Sequence, residues 1–78
     1  MGDGLSIHLE VYLRFRGQAP WRGDERLPEG TTAADLPRVL GISEPGLAIL
    51  VNGRNVPESA ILRAGDEVAV LRQAEGGD

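Results

Sequence analysis

One segment near the start of the chain alternates apolar and polar residues, and it constrains the fold more than any other feature. Between Ser6 and Arg16 every second residue is apolar, which gives one apolar face: Ile7, Leu9, Val11, Leu13 and Phe15. Successive side chains of a β-strand point to opposite sides of a sheet, so this period predicts a strand with one buried face. A second layer has to cover that face.

Size and composition narrow the class of protein. A chain of 78 residues forms one domain, and without cysteine it has neither a disulfide nor a thiolate metal site. A net charge of −4 disfavours nucleic acid as a partner and favours proteins with basic docking surfaces. No apolar run approaches the ~20 residues that span a bilayer, so we expect a cytoplasmic protein that binds no membrane.

A short helix is predicted in the middle of the chain. Thr32 is a candidate N-cap, with Asp35 three residues later as an acidic capping-box partner, and Gly41 stands where a C-terminal cap belongs. Pro37 removes one backbone donor, so the first turn is irregular or the helix begins later. An apolar stripe at helical spacing is predicted to face the sheet: Leu36, Val39 and Leu40.

Further strands follow from apolar runs and turn signals. Asp24–Leu27 is predicted to pair back on the first strand as a polar edge strand, with Leu27 in the core. The run 47–51 has the character of an inner strand buried on both faces, and Asn52-Gly53 predicts a hairpin to a short strand over 54–56. A helical turn over 59–62 would pack Ile61 and Leu62 inward, and the last strand is predicted over 67–71.

Four sequence motifs in this order resemble one known family. They are Pro-Glu-Gly-Thr-Thr at 28–32, Val-Asn-Gly at 51–53, Leu-x-x-Gly-Asp-Glu-Val at 62–68, and the paired Gly76-Gly77. Together they are similar to the ubiquitin-like sulfur carriers of the molybdopterin-synthase small-subunit and thiamine type, the MoaD/ThiS family. The resemblance implies an α+β, beta-grasp fold with a mixed sheet of four or five strands and one main helix on one face.

The resemblance also implies where the chemistry takes place. It divides the chain into a domain over 1–71, ordered from about residue 6, and a flexible tail over 72–78. In such carriers an adenylating enzyme uses ATP to activate the terminal glycine, here Gly77, and sulfur then replaces one oxygen to give a thiocarboxylate. Gly76 would give the tail a slim approach to a partner's pocket. A sulfur-accepting synthase would be a second partner, and the carrier itself would be neither an enzyme nor the holder of a bound cofactor or metal.

Asp78 departs from the family pattern, because family members usually end at the second glycine. Gly77 has no free carboxylate while Asp78 follows it. Either a peptidase removes this one residue, or the chain is not a carrier in this form. Two other functions stay open: a ubiquitin-like modifier that forms an amide with a target lysine through Gly77, and an interaction module in which Gly-Gly is inert.

The sheet face opposite the helix is a candidate docking surface. If the strand registers allow it, apolar residues share this face beside the tail, and such patches often mark partner sites, although scattered surface apolar residues are also normal. His8, on the same polar side of the first strand, is expected to face solvent, and Trp21 at a hairpin tip either folds over the core edge or anchors an interface. The residues predicted to contact partners are Tyr12, Leu50, Ala69, Leu71 and Arg72.

Overall fold

Five β-strands form one mixed sheet in the computed structural model, which describes residues 4–73. In chain order the elements are β1 Leu5–Val11, β2 Trp21–Leu27, α1 Leu36–Leu40, β3 Leu47–Val51, β4 Arg54–Asn55 and β5 Glu67–Arg72. The strand order is β2-β1-β5-β3-β4, with β1 and β5 parallel and every other neighbouring pair antiparallel. The predicted beta-grasp architecture, with one helix packed on a mixed sheet, is confirmed.

The first strand is shorter than the alternation predicts. It ends at Val11, although Leu13 and Phe15 remain buried beyond it, so the alternating burial continues without a sheet partner. The chain then reverses over Arg16 and Gly17, which both have positive φ angles (51° and 81°), and Phe15 bridges to Gln18. This tight turn pulls the end of the predicted strand away from the sheet.

The second strand is longer than predicted and lies at the sheet edge, as expected. It begins at Trp21 and pairs with β1 along its whole length, from Val11↔Trp21 to Leu5↔Leu27. Trp21 is therefore a strand residue and not a hairpin-tip residue. Leu27, at 1% exposure, is in the core as predicted.

The helix begins later than Thr32, and the prediction of Thr32 as its N-cap is wrong. The N-cap is Asp35, while Thr32 and Asp35 still exchange the reciprocal bonds of a capping box one turn earlier. The intervening amides bond elsewhere, because Ala33 N donates to Ala60 O (2.9 Å) and Ala34 N donates to Glu58 O (3.0 Å). Gly41 ends the helix in the left-handed conformation, as predicted.

The short helix leaves two predictions of burial wrong. Val39 is 39% exposed, so only Leu36 and Leu40 of the predicted stripe are buried. Residues 59–62 form no helical turn; Ile61 makes an isolated bridge to Thr32 and is 61% exposed, whereas Leu62 is buried as predicted. Both residues were predicted to be buried because they are apolar. Apolar character alone does not show which way a side chain faces.

The third strand is an inner strand, as predicted, but it is half-buried along its length and not buried on both faces. It continues into β4 through Asn52 and Gly53, whose positive φ angles (54° and 80°) fit the two-residue hairpin turn predicted for this pair. The buried core lies between the sheet and α1. Its members are Ile7, Leu9, Val11, Leu13, Phe15, Leu27, Leu36, Leu40, Leu62, Val68 and Val70.

Candidate functional site

Strand β5 carries the chain towards its predicted reactive end. It is bonded on both sides, parallel to β1 and antiparallel to β3, and ends at Arg72, one residue later than predicted. Gln73 N extends the pairing by donating to Gly46 O at 2.9 Å. The predicted reactive residue Gly77, with Gly76 and Asp78, lies outside the described residues. The described chain thus ends at a bonded position that continues the central strand, three positions before Gly76.

Three of the predicted partner-binding residues lie together on the face opposite α1. Ala69 stands directly opposite Leu50 of β3, and Leu71 stands opposite Ala48, while Val68 and Val70 point to the core. Leu50, Ala69 and Leu71 are each half-buried. We call this set, with Ala48, the outer patch; it is a small apolar surface beside the end of β5.

Tyr12 lies at the border of the outer patch. Its backbone N donates to Val70 O at 2.8 Å, which continues the β1–β5 pairing by one residue and sets Tyr12 beside Leu71. The ring is 47% exposed, and its hydroxyl donates to the Glu10 carboxylate. That hydrogen bond to Glu10 raises the pKa of Tyr12, because deprotonation would place two anions side by side. Tyr12 therefore presents a neutral ring to this surface.

Arg72 does not belong to the outer patch. In the register it pairs with Leu47, which packs against the core on the helix side. Its guanidinium donates to the carboxylate of Glu44, in the loop between α1 and β3. This bond lowers the pKa of Glu44 and raises the pKa of Arg72, since each charge stabilises the other. Arg72 thus connects the end of β5 to the loop between α1 and β3, on the helix side of the sheet.

A polar rim surrounds a shallow hollow of about 320 Å³ on the outer face. His8 and Glu67 stand opposite each other across β1 and β5, and Glu10 lies next to Ala69. His8 Nδ1 is 2.7 Å from Asp24 Oδ1, and 65% of the His8 side chain is exposed, in agreement with its predicted solvent-facing position. The rim carries more carboxylates than cations, which suits a partner with basic side chains.

Trp21 covers one end of the core, which agrees with the first of its two interpretations. Its ring meets Phe15 edge to face at 5.3 Å between centroids. Arg16 lies over both rings, at 4.5 Å from the Phe15 centroid and 5.0 Å from that of Trp21. Two bonds of 3.0 Å from Arg16 to Glu25 hold the guanidinium there. This cluster closes the hairpin end and lies apart from the outer patch.

Two contacts near the site were not predicted from the sequence. The Arg72–Glu44 pair joins residues 28 positions apart, and no local pattern marks it. Asp66 lies in the turn before β5, and its carboxylate accepts from Arg63 N (2.9 Å) and from the Asn52 amide (3.1 Å). Asn52 in turn accepts from Glu67 N (3.0 Å), so the hairpin turn and the start of β5 are linked. The Asn-Gly signal could have suggested only the turn.

The described residues hold no other recognisable chemical centre. Across residues 4–73 no three side chains of the His, Cys, Asp or Glu types are grouped so that they could hold a metal ion. The only helix in the same range, α1, has five residues and is too short to cross a membrane. What remains is a small apolar face beside the end of β5.

Comparison with known proteins points to one family. The sequence model of the ThiS family matches residues 14–77. No protein with a curated functional description matches the chain.

Several solved structures share the fold. A Pyrococcus furiosus protein assigned as molybdopterin converting factor subunit 1 has a TM-score of 0.65 at 23% identity, over 90% of this chain and 99% of that one. The small archaeal modifier protein 1 of H. volcanii has a TM-score of 0.65 at 18% identity, over 91% and 100%. Urm1 from Trypanosoma brucei has a TM-score of 0.57 at 22% identity, over 99% and 100%. At these identities the likeness shows the fold alone.

Proposed function

Because the chain belongs to the ThiS family, we propose that it is a sulfur carrier whose Gly77, once Asp78 has been removed, becomes a thiocarboxylate. The observation that carries this proposal is the family match, which extends through Gly77 and includes both glycines. The protein is then a substrate of enzymes and not an enzyme, and it works in the cytoplasm.

The proposed chemistry takes place at one carbonyl carbon. A carboxylate oxygen of Gly77 attacks the α-phosphorus of ATP in an adenylating enzyme, and pyrophosphate leaves. Hydrosulfide, supplied by a sulfur-donating partner, then attacks the carbonyl carbon and AMP leaves, which gives the thiocarboxylate. The resulting sulfur is a soft anionic nucleophile, as a cysteine thiolate is. A synthase that makes a cofactor of the molybdopterin or thiamine type would accept it.

The sheet limits how far Gly77 can reach. Arg72 is part of β5 and Gln73 N donates to Gly46 O, so the sheet pairing extends two residues into the tail predicted over 72–78. The four residues from 74 to 77 span at most about 14 Å when fully extended. A partner that reacts with Gly77 therefore has to bring its reactive group close to the end of β5.

The outer patch supports this requirement, because it lies beside the point where β5 ends. Leu50, Ala69 and Leu71 give a partner an apolar centre, and Glu10 and Glu67 give it an acidic rim. Apolar centres with polar rims are the usual anatomy of protein interfaces. We propose that the adenylating enzyme and the synthase dock here in turn, each with its pocket over the chain end.

Conjugation to other proteins is the second candidate function. The likeness to the H. volcanii small archaeal modifier protein 1 favours it, since that protein shares the fold over nearly its whole length. In that case a lysine amine of a target protein would attack the activated Gly77 carbonyl, and AMP would leave.

Mass spectrometry after co-expression with the native adenylating enzyme separates the alternatives. The carrier function predicts loss of Asp78 and replacement of one oxygen by sulfur. Branched conjugates on other proteins would assign the modifier function, and an unchanged full-length mass would show that Gly-Gly is inert. A chain ending at Gly77 that is encoded directly removes the peptidase from the test.

A further inference from the structure

The outer edge of β3 is only partly covered by its neighbour. Strand β4 consists of two residues and pairs with Leu50 and Val51 alone. The first three residues of β3, over 47–49, have β5 on one side and no strand on the other among the described residues. An uncovered strand edge is a template for another extended chain.

The direction of the hydrogen bonds shows which backbone groups are free. Asn52 N donates to Glu67 O at 2.7 Å, and Gly46 O accepts from Gln73 N at 2.9 Å. The residues just before and just after β3 therefore bond to β5 through their backbone. Alternate residues of an antiparallel strand bond the same neighbour. The backbone N–H and C=O groups of Ala48 therefore also point towards β5. Those of Leu47 and Ile49 point to the open side of β3. Across residues 4–73 neither has a backbone bond there.

A groove of about 560 Å³ runs along this edge. Ala33, Ala34 and Pro37 form one wall, and the edge of β3 forms the other. The groove exists because α1 starts at Leu36 and has five residues, which is too short to cover the sheet as far as β4. The exposed Ala34 and the half-buried Pro37 offer apolar contacts next to the unpaired backbone donors and acceptors of β3.

The charge of the groove is acidic. Glu44 and Glu58 line it, and the lining residues within 4–73 include no arginine. Glu44 is paired with Arg72, whereas the Glu58 side chain makes no hydrogen bond or ion pair with another described residue. An occupant with a basic side chain near Glu58 would supply the missing charge.

We propose that the groove beside β3 binds an extended segment of a partner protein as an added strand. The segment pairs its backbone with Leu47 and Ile49, places an apolar side chain against Ala34 and Pro37, and sets a basic residue near Glu58. Backbone pairing supplies affinity and the groove supplies selectivity in this mode of recognition. The site lies on the edge and helix side of the sheet, and it shares Ala48 with the outer patch. It does not depend on the chemistry of Gly77.

The test uses a synthetic probe of about eight residues, in which valine and threonine alternate between terminal lysines. Amide hydrogen exchange and ¹⁵N–¹H spectra are recorded on the full chain with and without the probe. In the free protein the amides of Leu47 and Ile49 exchange faster than those of Ala48 and Leu50. Saturation with the probe slows Ile49 several-fold, and the largest shifts are at the groove residues.

Matched variants separate strand addition from loose adsorption. Ala34→Phe fills the groove and is expected to weaken binding about tenfold, whereas Ala64→Phe, at another exposed alanine, leaves it unchanged. Glu58→Arg is expected to weaken binding about two- to fivefold, the range of an exposed ion pair, whereas Glu29→Arg is neutral. Circular dichroism confirms that each variant is folded.

Four results would overturn the proposal. They are protection of the Ile49 amide in the free monomer, shifts confined to the outer patch, equal effects of the two phenylalanine variants, and concentration-dependent protection without probe. The last result would assign the edge to a second copy of this chain.

Discussion

Arg72, the last residue of β5, donates two hydrogen bonds to the Glu44 carboxylate across the helix side of the sheet, with Nη2 3.3 Å from Oε1. The contact holds the last residue of β5 against the loop that precedes β3. Strand alternation places this charged side chain on the face opposite Leu71 and Ala69. The outer patch therefore keeps an apolar centre beside the end of β5.

Glu44→Gln removes one charge of this pair and is expected to loosen the end of β5. The amide of Gln73, bonded to Gly46 O, should then exchange several-fold faster, because the last pair of the ladder opens more often. Native-state hydrogen exchange measures the effect. Glu29→Gln, in an exposed turn, is the control, and equal Gln73 exchange in both variants would contradict the account.

The same pair predicts a pH dependence with a definite sign. Arg72 holds the pKa of Glu44 below its ordinary 4.5, so the pair's contribution to stability is complete above that value. It is lost as the pH falls and Glu44 becomes protonated in the folded state. Thermal unfolding between pH 7 and pH 3 should show the Tm difference between wild type and Glu44→Gln shrinking on acidification. A difference that grows would contradict the prediction.

The two faces of α1 should differ in their contribution to stability. Leu36 is fully buried and Val39 is 39% exposed. Leu36→Ala is expected to lower the free energy of unfolding by about 2–5 kcal/mol, whereas Val39→Ala should change it by less than about 0.5 kcal/mol. Urea denaturation monitored by Trp21 fluorescence measures both. Similar losses would show that the helix faces the sheet differently.

These burial differences show what the sequence could and could not determine. Alternation predicted the core face of β1, and Asn52-Gly53 predicted the hairpin, because both patterns are local and have one structural solution. Val39 and Ile61 could not be placed, since their exposure depends on where α1 starts. That start is set by Ala33 and Ala34 bonding to the 58–60 segment, a contact between distant parts of the chain.

The candidate site divides in the same way. Strand alternation was enough to group Leu50, Ala69 and Leu71 on one face once the register was known. The position of Arg72 on the helix side of the sheet was not predicted, because β5 extends one residue beyond its apolar run. The residue that Arg72 bonds, Glu44, is also remote in sequence.

A charge placed in the outer patch should impair docking without unfolding the protein. Ala69→Arg puts a cation between Leu50 and Glu10, where the partner's apolar and basic groups are proposed to lie. Binding to the adenylating enzyme, measured by calorimetry, is expected to weaken about tenfold or more. Ala64→Arg, in an exposed turn, should bind normally, and equal binding by both variants would exclude the patch as the docking surface.

Gly77→Ala should separate chemistry from folding. The free energy of unfolding is expected to change by less than about 0.5 kcal/mol, while sulfur transfer to the synthase is abolished. A large loss of stability would contradict the proposed role of Gly77 as the reactive chain end, because it would mean that the residue is packed against the domain.

The central claim is that the Gly77 carboxylate is activated by adenylation. The most direct measurement is ATP–pyrophosphate exchange by the cognate adenylating enzyme, with the chain ending at Gly77 compared with the chain that retains Asp78. The account predicts exchange with the first chain and none with the second. Absence of exchange with the chain ending at Gly77, with the enzyme shown to be active on another carrier, would contradict it.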